Sequence, residues 1–184
     1  LDSMPDTGVP YFLWTGSLNP RKNLEHVLDA YERIADQVPH GLVLAGGLGW
    51  DSHQLLQRIE NSKFSKRIHR PGFVSDDQLR ALYRSASAFI YVSYMEGFGL
   101  PILEAMACYC PVITSNISSM PEVAGDAAVL VDPHEIVDIS NAMLDIANDE
   151  EMTTRLKKAG IYRAKQFTWD KCAQSMIDIY KDFS

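Results

Sequence analysis

The sequence predicts an α/β protein built on a doubly wound parallel sheet of about six strands, with helices on both faces. Two observations carry that prediction. Short β-branched and aromatic runs, typical of strands buried on both faces, recur along the chain. Segments of helical character separate them, so the order reads as repeated βαβα units with neither an internal repeat nor a linker.

The first strand is expected over 11 to 16, in Tyr11-Phe12-Leu13-Trp14-Thr15-Gly16. A helix follows, because Leu24, Val27, Leu28, Tyr31 and Ile34 recur at 3.6-residue spacing, and Asn23 stands at its N-cap position. Further strands are expected over 41 to 46, 67 to 70, 88 to 93, 111 to 115 and 128 to 131. Gly46-Gly47-Leu48-Gly49 after the second strand reads as a tight βα turn, since a G-x-G-x-x-G dinucleotide spacing fails at Ser52. Ser75-Asp76-Asp77-Gln78 fits a capping box, which makes Asp76 and Asp77 first-turn residues rather than catalytic acids. Three helices close the chain, roughly over 134 to 148, 150 to 165 and 169 to 182, with Leu144, Ile146, Met176, Ile177 and Tyr180 marking packed faces.

Two loops carry the chemistry. Glu96 and Glu104 stand eight positions apart in Tyr94-Met95-Glu96-Gly97-Phe98-Gly99-Leu100-Pro101-Ile102-Leu103-Glu104, where the strand over 88 to 93 hands over to a helix. In an open α/β sheet the carboxyl ends of the strands border the ligand crevice. Gly97 and Gly99 let backbone approach a ligand, and Pro101 fits a first helical turn, where its missing N–H costs nothing. Free amides at that helix start form a seat for phosphate or sugar oxygens. On the same edge, Ser17-Leu18-Asn19-Pro20-Arg21-Lys22-Asn23 places two cations at a helix start, against the helix dipole, a conflict that a bound anion would relieve. Carboxylates for hydroxyls beside a phosphate seat match the layout of a nucleotide sugar.

Together these motifs resemble the retaining glycosyltransferases of the GT-B fold, in particular the Rossmann-like nucleotide-binding half of the large family 4 group. Gly16 to Asn23 is similar to that family's glycine-to-lysine loop, and Glu96 to Glu104 to its E-x7-E motif with the internal Gly-Phe-Gly-Leu-Pro. Ala107 to Asn116, Met120-Pro121-Glu122-Val123, Ala128 to Pro133 and Phe167-Thr168-Trp169-Asp170 resemble later family segments in the family's order. The resemblance implies a role for each matched residue. Glu104 would bind the ribose hydroxyls, Glu96 the donor hexose, and Lys22 the distal phosphate with help from Arg21. Gly16 belongs to the phosphate loop, the amides of Phe98, Gly99 and Leu100 would hold sugar or phosphate oxygens, and main chain around Phe73 and Val74 would border the base. The sequence departs from the family at Ser17, where many relatives carry a phosphate-binding arginine; Arg21 is the substitute this chain offers.

The implied activity is hexose transfer from a GDP- or UDP-linked donor to an acceptor, in glycan, polysaccharide or glycolipid synthesis. No cofactor or metal is expected, because the sequence has no Asp-x-Asp motif and its five histidines lack metal-ligand spacing. A retaining glycosidase pair is a rival, but its carboxyls must stand about 5 to 5.5 Å apart, and a phosphate-seeking loop would then serve no purpose. A nucleotide-sugar epimerase and a non-catalytic nucleotide-binding regulator of the same architecture remain as alternatives.

Composition agrees. The 184 residues, 46% hydrophobic and 22% charged, suffice for one domain with a full core. A net charge of −7 argues against general affinity for nucleic acid or anionic membranes. Cys108, Cys110 and Cys172 form no disulfide or zinc pattern and read as buried reduced thiols of a cytoplasmic protein. No segment approaches the roughly 18 apolar residues of a membrane span. Because the resemblance covers one Rossmann-like unit, residues 1 to 184 are expected to be the carboxyl-terminal donor domain. An amino-terminal acceptor-binding domain would be its partner and would make any membrane-surface contact.

Overall fold

A computed structural model describes residues 8–47 and 53–182. Six strands run parallel in one sheet: β1 (Tyr11–Thr15), β2 (Gly41–Ala45), β3 (Ile68–Gly72), β4 (Ala88–Tyr91), β5 (Val112–Ser115) and β6 (Val129–Val131). Their spatial order is β3-β2-β1-β4-β5-β6. The doubly wound reading holds, and two strands end two residues from the expected position for physical reasons. The strand expected over 88 to 93 ends at Tyr91, because side chains take the next carbonyls. Asn23 Nδ2 donates to Val92 O, and Ser115 Oγ donates to Ser93 O. β3 runs on through Pro71, which an edge strand tolerates since its missing N–H faces away from the ladder.

The helices are α1 (Leu24–Ile34), α2 (His53–Asn61), α3 (Asp76–Ser85), α4 (Leu100–Ala107), α5 (Met120–Ala124), α6 (Ile136–Asn148), α7 (Glu150–Ala164) and α8 (Trp169–Asp182). Period-two alternation in the strands feeds two cores. Phe12, Trp14, Leu42 and Ile90 meet Val27 and Leu28 of α1 and Met143 of α6 on one face. Tyr11, Leu13, Val43 and Phe89 meet Tyr83 of α3 and Ile102 of α4 on the other. The expected capping box opens α3: Gln78 N donates to Ser75 Oγ at 3.3 Å, and Ser75 N to Gln78 Oε1 at 2.9 Å. Leu144 and Ile146 pack as expected.

Met176, Ile177 and Tyr180 do not pack: they are 52%, 47% and 69% exposed, and every side chain described in α8 lies at the surface. Amphipathic spacing shows that a helix has an apolar face but not what covers it. The cysteines also differ from expectation, for Cys110 is buried, Cys108 half-buried and Cys172 exposed on α8, all as free thiols. No helix among the described residues is long and apolar enough to cross a membrane. Of the turn Gly46-Gly47-Leu48-Gly49, residues 48 and 49 lie outside the described residues.

The strand order fixes where a ligand can sit. Chain connections leave β1 towards β2 and β3 on one side and resume at β4 on the other, so the sheet's topological switch falls between β1 and β4. The loops at the carboxyl ends of two such strands diverge to opposite faces and leave a crevice between them.

Candidate donor-binding site

The loop after β1 is shaped by two asparagines. Asn19 Oδ1 accepts from Arg21 N at 3.0 Å and caps a single 3₁₀ turn over Pro20–Lys22. Asn23 occupies the N-cap position of α1 in the left-handed region (φ 54), which Asn tolerates better than most residues, but it makes no side-chain cap. Its Nδ2 instead donates to Val92 O at 3.1 Å and Pro133 O at 2.8 Å, tying the loop to the segments after β4 and β6. The expected N-cap is thus a buried brace. Gly16 holds φ 150, a conformation L side chains rarely adopt, and the Lys22 stem packs beside it at ordinary contact distance.

Across the switch point, the loop after β4 meets the cations. Glu96 Oε1 accepts from Lys22 Nζ at 2.7 Å, and Glu96 Oε2 accepts from Arg21 Nη1 at 2.7 Å. The same Arg21 nitrogen donates to Met95 O at 2.5 Å, and Tyr94 N donates to Arg21 O at 3.0 Å. The side chain of Glu96 is only 9% exposed and that of Lys22 14%. The conflict between paired cations and a helix start is therefore relieved within the protein, by a carboxylate, where the sequence alone pointed to a bound anion.

Tyr91 lies beneath this cluster. Lys22 Nζ donates to Tyr91 Oη at 3.0 Å and sits 4.7 Å from the ring centroid. Burial and the Glu96 carboxylate beside it push the Tyr91 phenol well above its ordinary range, so it stays a neutral hydrogen-bonding group. Burial acts to raise the Glu96 carboxyl, but hydrogen bonds from Lys22 and Arg21 and the Lys22 charge outweigh it and bring its pKa down to about 2. Such a group is a permanent anion at neutral pH. The backbone of Glu96 is held separately: its N donates to Ser118 Oγ at 3.2 Å, while its O accepts from Ser118 Oγ at 3.1 Å and Ser119 Oγ at 3.0 Å.

Gly99 adopts φ 106 as it enters α4, a conformation open to glycine, and its carbonyl accepts from Ile102 N at 3.0 Å. The chain at Phe98, Gly99 and Leu100 thus leads straight into the first turn of α4, with Pro101 in it as expected. The Phe98 ring packs edge-on against Phe167, centroids 5.9 Å apart, and lines a cavity with Leu100 and Glu104. Glu104 lies one turn further along α4, partly exposed. Burial and the nearby charge of Asp76 raise its pKa, against the opposing charge of Arg80. Its charge also reaches the Tyr91 phenol, which links it to the Lys22 cluster. Phe73 is 88% exposed beside a cavity of about 290 Å³ shared with Trp14, Gly46, Gly47 and Arg70, whereas Val74 packs inward against the core.

Three comparisons bear on what this crevice is for. Residues 3–163 match the family model of glycosyl transferases group 1. The chain belongs to that family. It is 39% identical over 173 residues to the O-antigen chain mannosyltransferase B of Escherichia coli, covering 93% of this chain and 45% of that protein. It is 33% identical over 180 residues to the serotype-specific mannosyltransferase WbdA of Escherichia coli, covering 96% of this chain and 22% of the relative. The chain spans less than half the length of these relatives. Among solved structures, the sucrose-phosphate synthase of Thermosynechococcus elongatus superposes with TM-score 0.83 at 27% identity, over 96% of this chain and 46% of that one. The carboxyl-terminal domain of a group 1 glycosyl transferase (LpcC) from Francisella tularensis shares the fold, with TM-score 0.76 at 23% identity and 88% of each chain covered.

Within the group 1 chain, the residues singled out by sequence fall into two neighbourhoods. Arg21, Lys22 and Glu96 form one bonded cluster, with Gly16 against the Lys22 stem. Glu104 stands near the start of α3, which follows Phe73 and Val74. Sequence reasoning passed over Tyr91, Asn23 as a brace, and the Ser118 and Ser119 clamp. The available signal was position, since each is a polar group at or just beyond a strand's carboxyl end, beside the switch point.

Proposed function

We propose that this chain is the donor-binding domain of a retaining glycosyltransferase. It would move a hexose from a nucleoside-diphosphate sugar, GDP- or UDP-linked, to an acceptor in polysaccharide or glycolipid synthesis. The observation that carries the reading is the meeting of Arg21 and Lys22 with Glu96 at the sheet's switch point. Cations that can face phosphates stand there against a carboxylate that can face sugar hydroxyls, with a helix start alongside. The names of two relatives as mannosyltransferases favour mannose as the hexose.

Lys22 takes the distal phosphate, and Arg21 assists in place of the arginine absent at Ser17. The amides of Phe98, Gly99 and Leu100 hold phosphate or sugar oxygens, Glu96 the hexose hydroxyls and Glu104 the ribose. The base borders Phe73 and Val74, next to a cavity large enough for it. As the glycosidic bond to phosphate breaks, positive charge grows on the sugar ring and negative charge on the departing diphosphate. Lys22, Arg21 and the start of α4 meet that negative charge as preorganised donors, so the reaction needs no metal or other cofactor. A Glu96 held at about 2 by two cations is poorly suited to act as a glycosidase's proton donor.

Residues 1 to 184 then form one half of the enzyme, completed by an amino-terminal acceptor domain and working in the cytoplasm. Thermal-shift titration of this chain with GDP, UDP, ADP and their sugars tests the reading. One nucleoside diphosphate and its sugar should raise the Tm, and a flat response to all of them would overturn it. Product analysis with the complete enzyme separates transfer from epimerisation, because an epimerase alters the donor sugar with no acceptor present.

A further inference from the structure

Both cations that would serve the donor's phosphates are paired with one carboxylate. Glu96 offers one oxygen to each, Oε1 to Lys22 and Oε2 to Arg21, both at 2.7 Å, much as two oxygens of a phosphate would. Each member of the cluster has a second anchor that does not depend on this arrangement. Lys22 keeps the Tyr91 hydroxyl at 3.0 Å, and Arg21 keeps the Met95 carbonyl at 2.5 Å. The Glu96 backbone stays clamped by Ser118 and Ser119 whichever way its carboxylate turns. The ion pairs can therefore open without moving either loop. Gly97 is exposed beside them, with nothing within 4 Å of where a Cβ would stand.

We propose that Glu96 is a charge latch: its carboxylate holds the phosphate positions on Arg21 and Lys22 until a diphosphate displaces it, and only then is it free to take the sugar's hydroxyls. The proposal rests on the donor-site reading above and adds a rule of specificity to it. A free hexose meets a carboxylate already engaged, and a lone phosphate must break two ion pairs without gaining the sugar contact. Only a ligand with both parts recovers both costs. Phosphate and sugar recognition are thereby coupled through one side chain, the condition for positive cooperativity between two parts of a ligand.

Isothermal titration of this chain with inorganic pyrophosphate, GDP, GDP-mannose, UDP and UDP-glucose, in the wild type and Glu96→Gln, tests the latch. Glutamine removes the competing charge and leaves two uncompensated cations. The variant should bind pyrophosphate and the accepted nucleoside diphosphate on the order of tenfold tighter, and should lose the extra affinity that the hexose confers. It should also melt at a lower temperature than the wild type, so tighter binding accompanies lower stability. A merely structural Glu96 would lower both. Glu96→Asp, which keeps the charge but is too short to bridge both cations, should tighten pyrophosphate to a smaller extent and serves where the glutamine variant folds poorly. Pyrophosphate affinity equal to or weaker than wild type in the folded variants overturns the latch alone. Binding of no probe by the wild type or either variant overturns the donor-site reading and the latch with it.

Discussion

A Cβ placed on Gly46 would stand 1.9 Å from the carbonyl oxygen of Gly16, and Gly16 N in turn donates to Ala45 O at 3.0 Å. The ends of β1 and β2 thus press backbone against backbone at the floor of the crevice, and Gly46 also holds φ 139, a conformation L side chains rarely adopt. Gly46→Ala should destabilise the chain by about 3 kcal/mol or more, since a rigid main chain has to give way. Gly47→Ala is the control: its Cβ meets nothing within 4 Å and should leave stability within about 0.5 kcal/mol of wild type. Urea denaturation of both variants decides the point, and equal midpoints would mean the two strand ends can part freely.

Lys22 carries the chemical prediction. It is largely buried and braced by Tyr91, and in the proposed reaction it meets the negative charge of the leaving diphosphate. In the complete enzyme, Lys22→Ala should lower kcat by about two to three orders of magnitude, with a smaller effect on donor affinity. Tyr91→Phe keeps the ring under the ammonium and loses only the hydroxyl, so it should show a milder loss of kcat. Made together with Lys22→Ala, it should add little further loss, because its contribution acts through that lysine. Steady-state kinetics on the four proteins of this cycle checks both statements, and full additivity would separate Tyr91 from Lys22.

The physics of the sequence made the frame of this site legible and left its bracing hidden. Strand patterning and the two loops placed Arg21, Lys22 and Glu96 on one sheet edge, since strand order follows from right-handed βαβ units and each loop follows a strand's carboxyl end. Asn23 stands at the N-cap position as expected, but the side chain of an asparagine there has two uses, capping or bridging. Which one wins depends on Val92 and Pro133, 69 and 110 positions away. The contact of Tyr91 with Lys22 has no local mark, because alternation reports which face a residue takes, not what lies at the end of its side chain. The bridging of Arg21 and Lys22 by Glu96 is likewise a long-range pairing that no local pattern encodes.

Removing the Glu104 charge should change stability in the opposite sense to its effect on the proposed ribose contact. Burial and the Asp76 charge raise its pKa in the folded chain above the ordinary 4.5, so the folded state favours the protonated form. The charged form costs stability at neutral pH, and that cost disappears as the pH falls through the folded pKa towards the ordinary value. Glu104→Gln should therefore raise the Tm slightly at pH 7, with the gain shrinking as the pH falls towards the ordinary 4.5. The same variant should bind the accepted nucleoside diphosphate more weakly, because glutamine is a poorer acceptor for ribose hydroxyls. A Tm that falls at pH 7 would show that Glu104 gains net stabilisation from its neighbours.

Glu96 should behave in the reverse sense on acidification. Its folded pKa of about 2 lies below the ordinary 4.5, so its ion pairs contribute stability that is fully present above the ordinary value. That contribution is lost as the pH falls from about 4.5 towards about 2, where the folded state too takes up the proton. Wild type and Glu96→Gln should thus differ most in Tm at pH 6 to 7 and converge as the pH approaches about 2, because a protonated Glu96 and a glutamine carry the same charge. Arg21→Ala removes one of the two cations, so its Tm difference from wild type should narrow over the same interval. The test is a set of melting curves at half-unit pH steps. A gap between wild type and Glu96→Gln that stays constant with pH would mean that the two ion pairs contribute nothing to folding through the charge of Glu96.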